Sequence, residues 1–333
     1  MSKKTTTRAR DRVTRLVQSS RDIWVGTHIR PDGDALGSLL GLSLALERTG
    51  RRVAPLCADP VPDNYRFLPG ADRVSSEPPE WKAELGIVVD CDGLSRLGRL
   101  EPAFEGLAHL VDIDHHHTDH AFGEERLVDS TAGATAEIVY DVLQGLELQL
   151  DADVGTCLYT AILTDTGRFC YGNTTARSLR IAAEMVAAGA APDRIARRIY
   201  EERSVEATHL LGVALSRLSA DLEGQVVSSV LTQKDFRETG AEPGDTDGII
   251  DHLRAIGGPR VALLLVEPNH DAVRVSLRSD GSVDVSEIAL GFGGGGHMMA
   301  GGCTVPGTAE GVREQVLEAV RNALDRPSGH DGG

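Results

Sequence analysis

Val111-Asp112-Ile113-Asp114-His115-His116-His117 closes an apolar segment that begins at Leu107. An apolar run that passes directly into acids and imidazoles is the pattern of a buried strand delivering hard ligands at a sheet edge. The pattern recurs twice. Ile23-Trp24-Val25-Gly26-Thr27 ends in His28, with Asp32 and Asp34 close behind, and Leu85-Gly86-Ile87-Val88-Val89 ends in Asp90. Ligands of open α/β sheets bind at the carboxyl ends of the strands. Three such endings therefore predict one shared polynuclear metal site.

The surrounding chain supports the sheet. Strands are expected at 23–27, 52–57, 85–89 and 108–113, and helices at 35–49, 133–146, 153–163, 176–189 and 192–202. This alternation implies an α/β fold with a mostly parallel sheet flanked by helices. Gly50 and Gly189 stand where helices should stop. Residues 205–222 form a continuous helical pattern with Leu210, Leu211, Leu215 and Leu218 on one face, read as a connector. Beyond it, Val226–Leu231, Arg260–Glu267 and Val273–Arg278 read as strands and Thr308–Asp325 as a closing helix, a smaller C-terminal α/β domain. The expected division is 1–204 catalytic domain, 205–222 connector, 223–326 substrate domain and 327–333 disordered tail.

Composition narrows the function classes. The 333 residues carry a formal net charge of −16, which disfavours long duplex nucleic acid as a partner, because that partner rewards broad basic surface. A short anionic substrate remains accessible through a local basic pocket and metal ions. The five cysteines, Cys57, Cys91, Cys157, Cys170 and Cys303, form no CxxC pair. That argues against a zinc ribbon or redox motif and for a reducing cytoplasm. No apolar stretch approaches the roughly 20 residues of a membrane span. The basic segment Ser2 to Arg15 is read as a solvated helix over Arg8–Val17 rather than a transit peptide, since Asp11 interrupts its charge.

His28, Asp32 and Asp34 lie on one strand-to-helix loop, where Asp-x-Asp alone would read as a helix cap. Beside Asp90 and the His triplet, the metal reading prevails. Asp165 ends the largely apolar run from Tyr159, and a carboxylate there is costly unless paired or metal-bound. His28, His115, Asp32, Asp34, Asp90 and Asp165 are too many ligands for one ion and suit two ions sharing a bridging carboxylate. Oxygen and imidazole without thiolate favour Mn²⁺, with Mg²⁺, Co²⁺ or Fe²⁺ as competitors. Two such ions about 3.5–4 Å apart suit hydrolysis of a phosphate ester. His116 is in excess of the ligands and is read as a general acid or electrostatic stabiliser. His117 and His120 are read as surface residues.

Gly291-Phe292-Gly293-Gly294-Gly295-Gly296-His297 matches GxGxxG formally, but the chain after it is too short to supply the βαβ unit of a dinucleotide fingerprint. Two readings stay open: a loop whose backbone N–H groups meet phosphate or sugar, and a bare flexible loop. Ser276 and Arg278 share one face of a strand, and Arg suits bidentate phosphate recognition.

Taken together, these residues resemble the DHH phosphoesterases. His28-Ile-Arg-Pro-Asp32-Gly-Asp34, Asp90, Asp114-His115-His116 and Thr164-Asp165-Thr166-Gly167 look like the four motifs of that family. Ser276-Leu-Arg278-Ser279 and Gly293-Gly-Gly-Gly-His297-x-x-Ala300 look like its DHH-associated domain, and Asn173-Thr174-Thr175 also fits. Within that family they look most like the subgroup of bacterial NrnA-like oligoribonucleases and 3′-phosphoadenosine 5′-phosphate phosphatases, which includes cyclic-dinucleotide phosphodiesterases. The resemblance implies that His28, Asp32 and Asp90 hold one Mn²⁺. Asp34, Asp90, His115 and Asp165 would hold the other, with Asp90 bridging and catalytic. It implies that His116 faces the scissile phosphate, and that Ser276, Arg278, Gly294, Gly295, Gly296 and His297 grip the substrate. Three departures are His117 in place of proline, Gly301 in place of alanine, and Arg168, which would adjust substrate preference.

The expected activity is Mn-dependent hydrolysis of short oligoribonucleotides, of linear or cyclic dinucleotides, or of 3′-phosphoadenosine 5′-phosphate, by a cytoplasmic homodimer. The competing readings are a family II inorganic pyrophosphatase and a non-catalytic nucleotide sensor.

Overall fold

A computed structural model describes residues 3–116, 121–267 and 272–325. His117, His120 and the tail 327–333 lie outside the described residues. The chain divides into two compact units, Met1–Glu201 and Glu202–Gly333.

The first unit runs α1 (Lys3–Ser19), β1 (Asp22–Thr27), α2 (Gly33–Glu47), β2 (Arg52–Cys57), β3 (Leu85–Val89), α3 (Glu101–Glu105), β4 (Leu110–Asp114), β5 (Glu125–Val128), α4 (Thr135–Gly145), α5 (Ala152–Asp165), α6 (Ala176–Ala187) and α7 (Pro192–Ala196). Its five strands are all parallel, in the order β2-β1-β3-β4-β5. The order reverses between β1 and β3, and a crevice opens at the carboxyl ends of strands at such a point. His28 follows β1 there and Asp90 follows β3.

The central strands β1 and β3 are nearly continuous apolar runs because both faces are covered. Ile23, Val25, Ile87, Val89, Val111 and Ile113 join the larger core with α2, α4 and α5. Trp24 and Val88 enter a smaller one with Leu97, Leu100 and Phe104. Helix α2 is buried nearly all round. It meets α5 along a glycine seam: a Cβ at Gly33 would lie 2.4 Å from Thr164, one at Gly37 2.4 Å from the Cys157 carbonyl, and one at Gly41 2.7 Å from Leu158.

Two expectations change in this unit. The N-terminal helix is not simply solvated, because Ala9, Val13 and Val17 line up on one face and are buried in the core. The edge strand β5 was not foreseen, because Glu125-Arg126-Leu127-Val128 is short and half charged.

The second unit runs α8 (Val205–Ser216), β6 (Ser219–Asp221), β7 (Val226–Leu231), α9 (Gln233–Thr239), α10 (Ile249–Arg254), β8 (Val261–Val266), β9 (Ala272–Ser279), α11 (Val285–Gly291), β10 (Gly295–His297), β11 (Ala300–Pro306) and α12 (Ala309–Leu324). Its mixed sheet has the order β10-β11-β9-β8-β7-β6, with only β7 and β8 parallel. The continuous helix expected over 205–222 instead stops at Ser216, and Ser219–Asp221 pairs with β7 as an edge strand. Leu210 and Ala214 pack into the core of this unit with Val227, Leu231 and Ile249, while Leu215 and Leu218 are exposed.

Candidate metal centre

The carboxyl ends of β1, β3 and β4 and the facing ends of α2, α4 and α5 bring the six expected ligands together. Candidate ligand atoms of His28, Asp32 and Asp90 lie within 4.8 Å of one another, as do those of Asp34, His115 and Asp165, and those of Asp90, His115 and His116. Asp90 belongs to two of these groups. Its Oδ2 lies 3.6 Å from His28 Nε2 and its Oδ1 3.7 Å from His115 Nε2. His115 Nε2 is also 3.8 Å from Asp34 and 3.5 Å from Asp165.

The backbone fixes each group. Asp90 sits in the left-handed region at φ 56°, which turns its side chain out of the strand direction. Thr135, the first residue of α4, donates its Oγ1 to Asp90 Oδ1 at 2.8 Å and its N–H to Asp34 Oδ2 at 2.6 Å. Ala136 N–H and Ser38 Oγ donate to Asp34 Oδ1. Asp34 thus lies against the positive end of α4 as well as in the first turn of α2. Asp32 does act as the cap of α2, its Oδ1 accepting from the Asp34 and Ala35 N–H groups at 3.0 Å. The cap reading and the cluster reading both hold for this residue. The ring of His28 is oriented by its Nδ1–H, donated to the Ile29 carbonyl at 2.8 Å.

The electrostatics call for cations. Burial, with Asp90, Asp165 and Asp32 adding to it, pushes the Asp34 carboxyl well above its ordinary range. Asp165 is pushed up to about 7 by burial, which outweighs His115 beside it. It is also the last residue of α5, where the helix dipole is unfavourable to an anion. Burial acts the same way on Asp90, but the hydrogen bond from His28 and the fields of His116 and His115 hold its carboxyl below the usual range. Four carboxylates in one small volume, with oxygen and imidazole donors only, fit hard divalent ions.

Asp114 has a part that residue type alone did not reveal. It ends β4 fully buried, and its Oδ1 accepts from both the His116 backbone N–H at 3.1 Å and His116 Nδ1–H at 2.7 Å. Burial opposes a charge on His116. The Asp114 hydrogen bond, aided by Asp90 and Asp165, prevails and pushes it up to about 10. Thr135 was also missed, since it lies inside the expected helix 133–146 and reads there as an ordinary helical residue.

In the second unit, β9 alternates, with Val273, Val275, Leu277 and Ser279 buried and Arg274, Ser276 and Arg278 on the other face. Register sets Ser276 opposite Gly302, and Arg278 opposite Ala300, which in turn pairs with His297. The His297 side chain lies outside what the structure describes. Arg278 Nε is 3.7 Å from Asp251 Oδ1. The end of the glycine run, Gly295–His297, is an edge strand, while Gly291 closes α11 and Gly293 and Gly294 lead into the strand. Gly294 and Gly296 are demanded by packing, since a Cβ there would lie 2.1 Å from the Gly302 carbonyl and 2.2 Å from the Ala300 carbonyl, whereas Gly295 faces open space. Gly301 leaves no room for the family's alanine: its Cβ would meet the Val285 carbonyl at 2.6 Å. Arg168 is exposed on a left-handed turn at φ 62°, its guanidinium 4.9 Å above the Tyr200 ring.

Comparison with known proteins places this geometry. The DHH family, N-terminal domain, matches residues 22–162, and the DHHA1 domain matches 223–326. The chain is 37% identical over 305 residues to the bifunctional oligoribonuclease and PAP phosphatase NrnA of Thermus thermophilus, covering 91% of this chain and 90% of that protein. It is 29% identical to the Bacillus subtilis protein of the same name, over 84% of this chain and 87% of the relative. An exopolyphosphatase-related protein from Bacteroides fragilis shares the fold with a TM-score of 0.88 at 24% identity, covering 96% and 98% of the two chains. Among the described residues no helix is long and apolar enough to cross a membrane. The strand-end cluster, the motifs that carry it and the near full-length relatives agree: this chain belongs to the DHH family.

Proposed function

We propose that the chain is a two-metal phosphoesterase that hydrolyses short oligoribonucleotides, linear or cyclic dinucleotides and 3′-phosphoadenosine 5′-phosphate to mononucleotides. The observation that carries this reading is Asp90, whose two oxygens face two separate histidine and carboxylate groups. His28, Asp32 and Asp90 would hold one Mn²⁺, and Asp34, Asp90, His115 and Asp165 the other. Bound divalent ions supply water activation and neutralise charge on the phosphate. Asp90 sets the spacing between the two positions. Thr135 and the α4 N-terminus hold Asp34 and Asp90 in place. Asp114 would orient His116 and favour its protonated ring, from which a proton can pass to the leaving oxygen. Residues 1–204 would carry the chemistry and 223–326 the substrate contacts, in a cytoplasmic homodimer. The names of the T. thermophilus and B. subtilis relatives support this substrate class, and the DHHA1 match speaks against a pyrophosphatase.

Protein treated with chelator is expected to lose hydrolysis of a short oligoribonucleotide and to recover best with Mn²⁺, among Mg²⁺, Co²⁺ and Fe²⁺ as alternatives. Full activity in chelator would remove the two-metal reading. Pyrophosphate run beside the nucleotides separates the pyrophosphatase reading, and metal binding without any turnover would leave a sensor.

We further propose that Arg278, with Ser276, Gly294, Gly295, Gly296 and His297, binds the nucleotide, and that Arg168 adjusts its preference. Arg278→Ala should raise KM for nucleotides and leave metal content unchanged, because binding remote from the reacting centre is felt equally in ground and transition states. A small nitrophenyl phosphodiester should be hydrolysed almost equally by both proteins. Equal loss on both substrates would assign Arg278 to the fold instead.

A further inference from the structure

We propose that Asn173 is a positioning residue for the metal centre, tying the backbone of Asp165 to the start of the helix that holds Asp34 and Asp90. The inference deepens the two-metal reading and rests on it. Asn173 Nδ2 donates to the Gly133 carbonyl at 3.0 Å and to the Asp165 carbonyl at 3.1 Å. Two carbonyl oxygens around one atom require the amino end of the amide there, because only that end donates twice. One of these carbonyls belongs to a proposed ligand. The other lies two residues before Thr135, whose N–H and Oγ1 hold Asp34 and Asp90.

Gly133 is a firm anchor for such a tether. Its N–H donates to Glu137 Oε1 at 3.1 Å, and the same oxygen accepts from Ser178 Oγ at 2.6 Å. Glu137 is fully buried and paired with Arg177. A Cβ at Gly133 would stand 2.9 Å from the Asn173 carbonyl, Glu137 Oε1 and Ser178 Oγ. Both polar groups of Gly133 are therefore engaged, and the residue has little room to move. Asp165 at the end of α5 and Asp34, held by the start of α4, repel each other, so their spacing needs a neutral link. Asn173 supplies it from the loop that leaves α5, without adding charge. Its side chain is exposed, so removing it opens no core cavity.

The test is Mn²⁺ titration of the full chain by calorimetry, with electron paramagnetic resonance to separate coupled from single ions. Wild type should bind two ions per chain. If wild type binds none, the two-metal reading itself fails. Asn173→Ala should weaken the ion held by Asp34, His115 and Asp165 by about 10–100-fold, as outer-shell losses do. The ion held by His28 and Asp32 should change little, and metal-free melting should stay within a few degrees of wild type. Asn173→Asp keeps the shape but points a carboxylate at two carbonyls, and should bind the second ion at least as poorly as the alanine variant. Wild-type affinity for both ions in Asn173→Asp would overturn the inference, because space-filling alone would then suffice. A large fall in melting temperature alongside the loss of metal would overturn it too, marking Asn173 as a residue of the fold.

Discussion

Asp90→Ala is expected to abolish turnover and to release both cations, the largest effect of any single substitution in this chain. The carboxylate is shared, with Oδ2 toward His28 and Oδ1 toward His115, so no neighbour can take over one half of its work. Removing it also strands the Thr135 hydroxyl and leaves Asp34 and Asp165 facing each other across a vacated centre. Divalent ions supply several kcal/mol of charge stabilisation to phosphate ester hydrolysis. At about 1.4 kcal/mol per decade, that corresponds to at least ~10³-fold in rate. Elemental analysis and a nucleotide assay on the same sample check both halves. Two ions retained per chain would show that Asp90 does not bridge.

His116→Ala should leave both ions in place and lower kcat by about 10²–10⁴-fold, the usual contribution of a positioned acid. The separation follows from connectivity. His116 Nδ1 is tied to Asp114 at 2.7 Å, while Asp90 Oδ1 stands 3.7 Å from the same nitrogen, beyond hydrogen-bonding distance. With Nδ1 committed to Asp114, proton transfer falls to Nε2. The hydrogen bond to Asp114 raises the proton affinity of the ring, which suits donation to a leaving oxygen. Unchanged kcat would return His116 to the role of bystander, and lost metal would make it a ligand.

Much of this was legible because buried parallel strands announce themselves. β1, β3 and β4 are covered on both faces, so their apolar runs stop where the candidate ligands begin, and the polar residue after each run marks the sheet edge. Three of the four edge strands give no such signal. β5 is half charged, β6 has three residues and β10 is largely glycine, since pairing on one side leaves little apolar surface to bury. The pattern over 205–222 misled for a related reason: Leu215 and Leu218 continue the helical spacing although they are exposed, and only pairing with β7 shows that the helix has ended. Roles that depend on a hydrogen bond between distant segments stayed hidden. Asp114 and Thr135 are ordinary residue types in ordinary places until β4 and α4 are brought beside Asp90.

The glycine seam between α2 and α5 bears on how this centre tolerates change. Where side chains keep two helices apart, the gap widens or narrows whenever the core is repacked. Here the spacing is set by main chain resting on its neighbour at Gly33, Gly37 and Gly41, and Thr164 lies against the first of them, one residue before Asp165. Substitutions among the leucines and valines on the far faces of these helices can accumulate without altering the distance between Asp34 and Asp165. A single added methyl group on the seam pushes the two helices apart at the very residues that carry the carboxylates. Most of the interior volume should therefore tolerate exchange of one apolar side chain for another, while any side chain at these three positions is expected to overpack the seam.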